Sequence, residues 1–578
     1  MGSGVNPHKG LDTYSTGATV IPFDLWWSEC LLGHLLSQSS SSICFAPGRR
    51  SQPLIHALLS LRERHPLRLL SHFDERGLAF AAMGLARAEQ KPVILLTTSG
   101  SAVANLLPGL LEARAQRVPI LVVTADRPPH AHFRGSAQTC HQPPLLAGAV
   151  TRCFELPAPT VTLPGVPVDS TEERCVQDFL RGIAQEVLLA SSEGPVHINC
   201  PFEEPFHGTS TPASFSKFPQ ISPLEMRPPH KTPTNLSVLF DRLAGAQKPL
   251  VTLGAHWHGV PKMLVDQLHA LGAVILPDIL SQWRLRSHPG LFRETEQMCK
   301  QLPTEAAPDL WIHLGDMVGP LLSKQLALWL QRVRPPSFVV QAGEQRWDPS
   351  FVDPERSHMD PILLSCSDVR RTGASSSWQS LWRRLTAAAA LSKGAPSYEA
   401  QMACTLWESL PSNALLYVGN SMPIRHFAEW APLREDGPRI WCNRGLAGID
   451  GNLASALGWS WGSSQPLAIC VGDLTALHDL NSLAAIRHAQ GPVLLQILNN
   501  SGGDIFRHVT EKSVSSPWIE EGFVTPHPWL FRPAAEMFGW EYGTMQPVHP
   551  WRGGYLWEPP LDSTSSPRPL ELTSTLSV

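Results

Sequence analysis

Short apolar runs alternate with longer segments of helical periodicity along most of the chain. An aliphatic run followed by a turn and an amphipathic segment is typical of a strand–helix unit. Strands that alternate with helices build parallel sheets whose two faces are both covered. The pattern therefore predicts an α/β protein of doubly wound parallel-sheet domains, with strands at residues 42–46, 92–97, 118–125, 250–253, 310–314, 338–340, 415–418, 467–471 and 493–498.

Changes in composition divide these units into domains. A chain of 578 residues has room for three domains of ordinary size. Stretches rich in proline, serine and threonine, or in serine and alanine, are typical of connections. We predict a flexible tail (1–24), a first α/β domain (25–205), a linker (206–234), a central α/β domain (235–365), a second linker (366–395) and a third α/β domain (396–578).

Polar residues follow two successive strands of the third domain. One strand leads into Gly472-Asp473-Leu474 and the next into Asn499-Asn500-Ser501-Gly502-Gly503, and apolar residues recur at three-residue steps in between, which predicts a helix. The carboxyl ends of parallel strands meet at the ligand-binding edge of a sheet. Asp473, Asn500 and the carbonyl of Gly502 would offer oxygen ligands to a small hard cation and a diphosphate. An aspartate helix cap and an Asn-Gly turn would give the same pattern.

The first domain contains an acid in the segment Ser71-His72-Phe73-Asp74-Glu75-Arg76-Gly77-Leu78. Glu75 stands where an extended segment meets an apolar helix. An apolar setting raises the pKa of a carboxyl group, so Glu75 could share or donate a proton near neutrality. The alternative is an acid that only stabilises the first turn of the helix, paired with Arg76.

Several arginines stand at or just after predicted strand ends: Arg50, Arg127, Arg425 and Arg444. Arginine forks that converge on one cleft would suit a substrate with two or three carboxylates. Surface salt bridges are the ordinary alternative for each of them. Ile449 and Phe506 lie in turns, where they could wall a cofactor site or fill a core.

Composition excludes several classes of protein. Hydrophobic residues at 43% and charged residues at 17% are typical of a globular protein, and the formal charge of −4 predicts no nucleic-acid partner. No apolar run is long enough for stable membrane insertion. The first 48 residues contain Lys9 and no arginine, so no targeting segment is visible. We expect a cytoplasmic location, or a plastid if the source is photosynthetic, and the eleven scattered cysteines agree with a reducing compartment.

Taken together, these stretches resemble the thiamine-diphosphate-dependent enzymes, and most closely the branch of menaquinone biosynthesis that uses 2-oxoglutarate and isochorismate. The stretches that carry the resemblance are 46–51, 72–77, 98–105, 124–129, 197–202, 418–421, 443–451 and the Gly472 and Asn499 segments. The resemblance implies pyrimidine-binding, central and diphosphate-binding domains, in that order. It also implies a homodimer or homotetramer with active sites at subunit interfaces.

The resemblance assigns roles residue by residue. Thiamine diphosphate would be bound with Mg²⁺ or Mn²⁺, and Glu75 would be the catalytic acid at the aminopyrimidine. Asp473, Asn500 and Gly502 would hold the metal, and Gly472, Leu474, Ile449, Ile505 and Phe506 would line the cofactor. The implied substrate-binding residues are Arg50, Arg127, Gln138, Lys324, Ser421, Arg425 and Arg444.

The implied reaction is decarboxylation of 2-oxoglutarate followed by conjugate addition of the remaining four-carbon unit to isochorismate. Arg49, Ala137 and Gln325 depart from the family's pattern, which bears on the substrate contacts rather than on the cofactor. Two alternatives stay open at this point. One is another thiamine-diphosphate decarboxylase or carboligase, for example one acting on pyruvate, and the other is a non-catalytic scaffold that keeps the fold.

Overall fold

The protein is described here by a computed structural model. The described residues are 21–159, 170–204, 206, 214–215, 224, 237–256, 258–293, 296–316, 324–342, 355–358, 376–509, 514–547, 551 and 553–560. The chain forms two compact units. The first comprises Met1–Pro228, Ala454–Ser463 and Arg487–Ala489, and the second comprises Pro229–Leu453, Ser464–Ile486 and Gln490–Val578.

The first unit is built on a six-stranded sheet with every neighbouring pair parallel, in the order β3-β2-β4-β5-β7-β6. A short antiparallel pair joins β1 to β8. Its strands are β1 (Ile21–Pro22), β2 (Ser42–Phe45), β3 (Arg68–Ser71), β4 (Val93–Thr97), β5 (Ile120–Asp126), β6 (Arg152–Glu155), β7 (Val196–Pro201) and β8 (Ser214–Phe215). Its helices are α1 (Phe23–Leu36), α2 (Gln52–Arg64), α3 (Glu75–Glu89), α4 (Ser101–Asn105), α5 (Leu107–Ala115), α6 (Gln142–Leu146) and α7 (Ser170–Ala190).

The second unit contains two parallel sheets, a central one in the order β10-β9-β11-β12-β13 and one in the order β15-β14-β16-β17-β19-β18. Its strands are β9 (Pro249–Leu253), β10 (Val274–Pro277), β11 (Leu310–Leu314), β12 (Ser337–Gln341), β13 (Glu355–His358), β14 (Leu415–Val418), β15 (Arg439–Trp441), β16 (Leu467–Gly472), β17 (Val493–Leu498), β18 (Glu541–Gly543) and β19 (Gly554–Trp557). The helices from residue 237 onward are α8 (Ser237–Gly245), α9 (Lys262–Ala270), α10 (Glu296–Lys300), α11 (Lys324–Val333), α12 (Ser376–Leu391), α13 (Tyr398–Ser409), α14 (Met422–Trp430), α15 (Asn452–Gly462), α16 (Asp473–His478), α17 (Ile505–Val509), α18 (Ser516–Ile519) and α19 (Arg532–Phe538). The part of α15 from Ala454 onward belongs to the first unit.

The inner strands are buried along their whole length, because helices cover both faces of each sheet. Every residue of β4, β5, β7, β9, β11 and β17 is buried. This explains why most of these strands appear in the sequence as nearly continuous apolar runs, whereas β7 alternates because it carries the buried polar residues His197 and Asn199. Every strand predicted from such a run is present, and the predicted α/β class with three parallel-sheet domains is confirmed. No helix of the described residues is both long enough and apolar enough to cross a membrane.

Two predicted segments differ in detail from the structure. Residues 376–391 of the predicted linker 366–395 form α12, whose Trp378 and Trp382 are buried with Trp329 in the core of the central sheet. The serines and alanines suggested a linker, whereas Trp378, Leu381, Trp382 and Leu385 form the face of α12 that packs on the core. The predicted tail 1–24 ends in ordered structure, with β1 at Ile21–Pro22 and α1 from Phe23, whereas residues 1–20 lie outside the described ones. The other domain boundaries stay predictions.

The segment between Asp473 and Asn499 is not a single α-helix. After α16, residues Leu480–His488 form a 3₁₀-helix. A 3₁₀-helix has three residues per turn, so the three-residue spacing of the apolar side chains matches this geometry better than an α-helix. The expectation of a helix was right, but its type was wrong.

Candidate active site

Asp473 ties together the ends of β16 and β17. It follows β16 directly and is 2% exposed. Its Oδ2 accepts hydrogen bonds from the backbone N–H groups of Asn500 (3.1 Å) and Gly502 (2.8 Å). Its Oδ1 accepts one from the N–H of Leu474 at 2.6 Å. The predicted convergence of Asp473, Asn500 and Gly502 is therefore present, and Oδ1 keeps capacity for a further partner.

Asn500 and Gly502 supply the remaining oxygens. Asn500 Oδ1 is buried and has no hydrogen-bond partner among the described residues. A buried acceptor without a partner costs about 1–3 kcal/mol, so an incoming donor or cation would relieve that cost. Gly502 adopts φ +148°, and a Cβ there would lie 2.7 Å from the carbonyl oxygen of Val524. One carboxylate, one amide oxygen and one backbone carbonyl fit a hard divalent cation that keeps water or phosphate ligands.

This set contains one acid only, so it differs from a cluster of His, Cys, Asp and Glu ligands. Across the described residues, no group of three or more such side chains could hold a metal ion. A diphosphate-linked Mg²⁺ needs few protein ligands, because phosphate oxygens and water complete the octahedron.

His527 also lies at this edge, and sequence reasoning missed it. It is 3% exposed, its Nε2 lies 3.2 Å from Asp473 Oδ2, and its ring stacks on Trp529. Its backbone N–H donates to the carbonyl of Ser501 at 3.2 Å. The residue stands between two prolines in a stretch without periodicity, which gave no signal of its position.

The loops after β14 and β15 converge on Asn420. Its Nδ2 donates to the carbonyls of Asn443 (2.7 Å) and Gly448 (2.8 Å), and its Oδ1 accepts from Arg444 Nη1 at 3.1 Å. This amide was not predicted to have a role, and it fixes Arg444 and the turn that carries Ile449. Asn420 therefore links the two loops, and Asn452 holds the same turn through the carbonyls of Gly448 and Asp450.

Ser421 is the residue before α14, and Arg425 lies in the first turn of that helix. Ser421 has φ +71° and ψ −126°, a conformation that non-glycine residues rarely adopt. Arg425 is exposed, and its Nη1 donates to the Ser421 carbonyl at 2.5 Å. Strain of this kind concentrates at functional sites.

The apolar residues predicted to line the cofactor are not core residues. Ile449 is 38% exposed, and Ile505, Phe506 and Leu474 are half-buried. Phe506 packs against Phe523 with ring centroids 5.7 Å apart. A Cβ at Gly472 would meet nothing within 4 Å, which leaves the backbone open to a ligand.

Glu75 is the first residue of α3, and it does not cap that helix. Asp74 is the cap: its side chain accepts from the N–H of Arg76, and its own N–H donates to His72 Nδ1 (both 3.0 Å). Glu75 is half-buried, and its Oε2 accepts a long hydrogen bond from Asn105 Nδ2 at 3.4 Å. Capping by Asp74 leaves the Glu75 carboxylate available for another partner.

The other predicted residues of the first unit contact their own chain. Arg50 is 5% exposed, donates to the Phe202 carbonyl (3.1 Å) and pairs with Glu204 (2.5 Å). Arg127 donates from Nε (2.8 Å) and Nη2 to the carbonyl of Ala137. Gln138 is exposed with φ +52°. Lys324 opens α11, and its side chain lies outside the described part of the chain.

The structure thus gathers the predicted residues into two sets, one in each unit. Arg50, Glu75, Arg127 and Gln138 follow or precede strand ends of the first sheet. Ser421, Arg444, Asp473, Asn500 and Gly502 follow strands β14 to β17 at the carboxyl edge of the third sheet.

Comparison with known proteins agrees with this arrangement. Residues 26–145 match the family model of the thiamine pyrophosphate enzyme N-terminal TPP-binding domain. This range covers β2 to β5 together with Glu75.

Curated relatives match most of the chain, and all those named here are 2-succinyl-5-enolpyruvyl-6-hydroxy-3-cyclohexene-1-carboxylate synthases. The protein from Rubrobacter xylanophilus is 34% identical over 89% of this chain and 90% of its own length. The Halorhodospira halophila protein is 32% identical over 89% of this chain and 90% of its own length. The Geobacillus thermodenitrificans protein is 32% identical over 91% of this chain and 89% of its own length. This chain therefore belongs to the 2-succinyl-5-enolpyruvyl-6-hydroxy-3-cyclohexene-1-carboxylate synthase family of thiamine-diphosphate-dependent enzymes.

Proposed function

We propose that this protein decarboxylates 2-oxoglutarate and adds the remaining four-carbon unit to isochorismate, with thiamine diphosphate and Mg²⁺ or Mn²⁺ bound. The observation that carries the proposal is the Asp473 edge, in a chain of which 89% aligns with a member of this family. There, hydrogen bonds to Asp473 join two strand ends, and the buried Asn500 Oδ1 accepts no hydrogen bond from any described residue.

The metal and diphosphate fit the residues of this edge. Asp473 Oδ1, Asn500 Oδ1 and the Gly502 carbonyl would hold the cation, and the open backbone at Gly472 would face the diphosphate. When bound, thiamine diphosphate supplies the capacity to stabilise negative charge on the carbonyl carbon of a 2-oxo acid as CO₂ leaves. Ile449, Ile505 and Phe506 would keep water from that carbon, since their apolar surfaces are not used in the core.

Glu75 would hold a proton at its carboxyl group, facing a ring nitrogen of the aminopyrimidine. Its position at the start of α3 suits this role, because Asp74 already satisfies the helix end. Sharing a proton between a carboxylate and a ring nitrogen is general acid–base chemistry.

Two sets of mainly basic side chains would bind the two acidic substrates, one set for each. Arg425 and Arg444, with Ser421, lie on the sheet that carries the metal ligands, and we assign them to 2-oxoglutarate. Arg50, Arg127, Gln138 and Lys324 are assigned to isochorismate. Both substrates carry two carboxylates, so several forks with bidentate geometry are needed. Arg50 would exchange its present partner Glu204 for a substrate carboxylate.

We further propose that the active enzyme is a homodimer or homotetramer whose sites combine first and third sheets from different subunits. A cytoplasmic location stays a prediction. Light scattering measured with and without cofactor tests the assembly, and a monomer that turns over at full rate would rule out a shared site.

The decisive experiment measures CO₂ release with thiamine diphosphate and Mg²⁺, using 2-oxoglutarate or pyruvate as donor. We expect release from 2-oxoglutarate and, on addition of isochorismate, a coupled product of the mass expected for the synthase reaction. Preference for pyruvate would favour another carboligase. Failure to bind the cofactor in calorimetry would favour the non-catalytic scaffold.

A further inference from the structure

A chain of buried polar side chains crosses the first sheet beside Arg127 and Gln138, two of the residues assigned to isochorismate. It includes Thr124 and Asp126 on β5, His197 and Asn199 on β7, and Gln142 at the start of α6. All five are at most 1% exposed. Buried polar networks are costly unless every member is satisfied, and a satisfied network rigidifies its surroundings.

Hydrogen bonds connect the members of this network in series. Burial lowers the pKa of His197 to about 3, so its ring is neutral and carries one N–H. Its Nδ1 lies 3.2 Å from Cys153 Sγ, and its Nε2 lies 2.7 Å from Thr124 Oγ1. Thr124 then donates to Asn199 Oδ1 (2.9 Å), and Asn199 Nδ2 donates to Asp126 Oδ2 (2.8 Å). Each donor finds an acceptor, and the chain ends on a carboxylate.

One arm leads from this chain to Arg127. Asp126 Oδ1 accepts the backbone N–H of Arg127 at 2.7 Å. The guanidinium of Arg127 donates two hydrogen bonds, from Nε and Nη2, to the carbonyl of Ala137. Asn199, acting through Asp126, therefore influences where residue 137 is held.

A second arm leads from the same amide to Gln138. Gln142 Nε2 donates to Asn199 Oδ1 (2.8 Å), and Gln142 Oε1 accepts the N–H of Gly100 (3.1 Å). Ser99, beside Gly100, donates from Oγ to the carbonyl of Gln138 at 2.9 Å. The backbones approach closely here, since a Cβ on Gly100 would lie 3.0 Å from Gln138 Cα.

The two arms thus meet on consecutive carbonyls of one loop, at Ala137 and Gln138. Side chains at 137 and 138 are exposed, so the packing that normally fixes a loop is small there. We propose that Asn199 is a positioning residue that fixes this loop, through Asp126 and through Gln142, for recognition of the acceptor substrate. The inference rests on the proposed function, because it assigns the loop to isochorismate rather than to 2-oxoglutarate.

The test uses Asn199→Leu, which removes the first bond of both arms, and Gln142→Met at nearly unchanged volume. The second variant removes the second arm together with the contacts of Gln142 Nε2 to Thr124 Oγ1 (3.3 Å) and to the Ala125 carbonyl (3.2 Å). Thr252→Val is the matched control, since Thr252 forms the same kind of buried pair with His313 (2.7 Å) in the central sheet. We expect the KM for isochorismate to rise on the order of tenfold to a hundredfold in Asn199→Leu, because small misplacements of binding groups have large effects. CO₂ release from 2-oxoglutarate without acceptor should stay within about twofold of wild type, as should both quantities in Thr252→Val.

Hydrogen exchange at residues 136–140 supplies a readout that needs no activity. We expect faster exchange in both network variants and no change in Thr252→Val. Equal loss for donor and acceptor, or unchanged exchange in the loop, would overturn the inference. If Asn199→Leu does not fold, the same two measurements on Gln142→Met decide. A wild-type enzyme that ignores isochorismate would refute the proposed function instead, while the exchange result would still report on the network.

Discussion

The first and third sheets have the same strand order but different chemistry at their ends. Numbered within each sheet, both run 2-1-3-4-6-5 with all neighbours parallel. In the first sheet, two arginines that follow strands bind their own chain, Arg50 by its pair with Glu204 and Arg127 by its hydrogen bonds to the Ala137 carbonyl. In the third sheet, Asn500 Oδ1 has no partner among the described residues. Topology therefore does not determine the chemistry; the few residues after each strand do.

The largest expected effect comes from Glu75→Gln in the first sheet. Turnover should fall by about 10²–10⁴-fold, because an amide cannot exchange a proton with the pyrimidine. Cofactor affinity should change little, since the third sheet carries the diphosphate. Donor-dependent CO₂ release and calorimetry measure the two quantities. Glu63→Gln, on the exposed face of α2, is the control, and wild-type turnover in Glu75→Gln would refute the proposed role.

The comparison between the two sheets also shows where sequence reasoning succeeds. Strands buried on both faces are mostly apolar, so β4, β5, β16 and β17 and the polar turns after them were predictable. Strand β19, which lies between β17 and β18, was not predicted. Gly554–Trp557 is too short and lies in too proline-rich a stretch to show a pattern.

Long-range contacts were the second obstacle. Asn199 meets Gln142 and Asp126 across 57 and 73 residues, and His527 reaches Asp473 from another part of the chain. Nothing in the local pattern around these residues encodes their partners. Arg50 was predicted to face a substrate, and its pairing with Glu204 depends equally on the tertiary fold.

Asp473→Ala, in the third sheet, should affect cofactor binding, which Glu75→Gln in the first sheet should leave nearly unchanged. Removing this carboxylate deprives Asn500 and Gly502 of their shared acceptor and the cation of a ligand. We expect cofactor binding in the presence of Mg²⁺ to weaken by about a hundredfold. Calorimetric titration measures it, and Glu536→Ala, which removes an exposed pair with Arg532, serves as the control. Binding of wild-type strength would exclude Asp473 as a metal ligand.

Gly502→Ala tests whether the backbone conformation at the end of β17 requires glycine, without changing any charge. The substitution forces alanine into φ +148° against the Val524 carbonyl, which should cost about 1–3 kcal/mol of the free energy of unfolding. Gly539→Ala is matched, because Gly539 has φ +75° with open space around its Cβ position. Denaturant unfolding compares them, and an equal loss in both would show that the contact with Val524 adds nothing.

A buried histidine of the third domain, His426, should make the free energy of unfolding depend on pH. Burial lowers the pKa of His426 to about 4, with Asp504 opposing the shift. The unfolded chain therefore binds a proton that the folded one does not, and the free energy of unfolding falls as pH decreases from about 6.5 toward 4. The contribution is about 1.4 kcal/mol per pH unit at most. His426→Phe should flatten the profile over that range, and an unchanged slope would contradict the assignment.

The smallest effect is expected for Ser421→Gly, and it is an increase in the free energy of unfolding rather than a loss. Ser421 occupies φ +71° and ψ −126°, so glycine there should raise the free energy of unfolding by about 1 kcal/mol. If the strain serves to present the Ser421 hydroxyl to 2-oxoglutarate, the more stable Ser421→Gly variant should have a higher KM for this donor and an unchanged KM for isochorismate. That pattern is the reverse of the one expected for Asn199→Leu in the first sheet. A variant that gains stability and keeps both KM values would show that the conformation at Ser421 serves the turn into α14 and not the substrate.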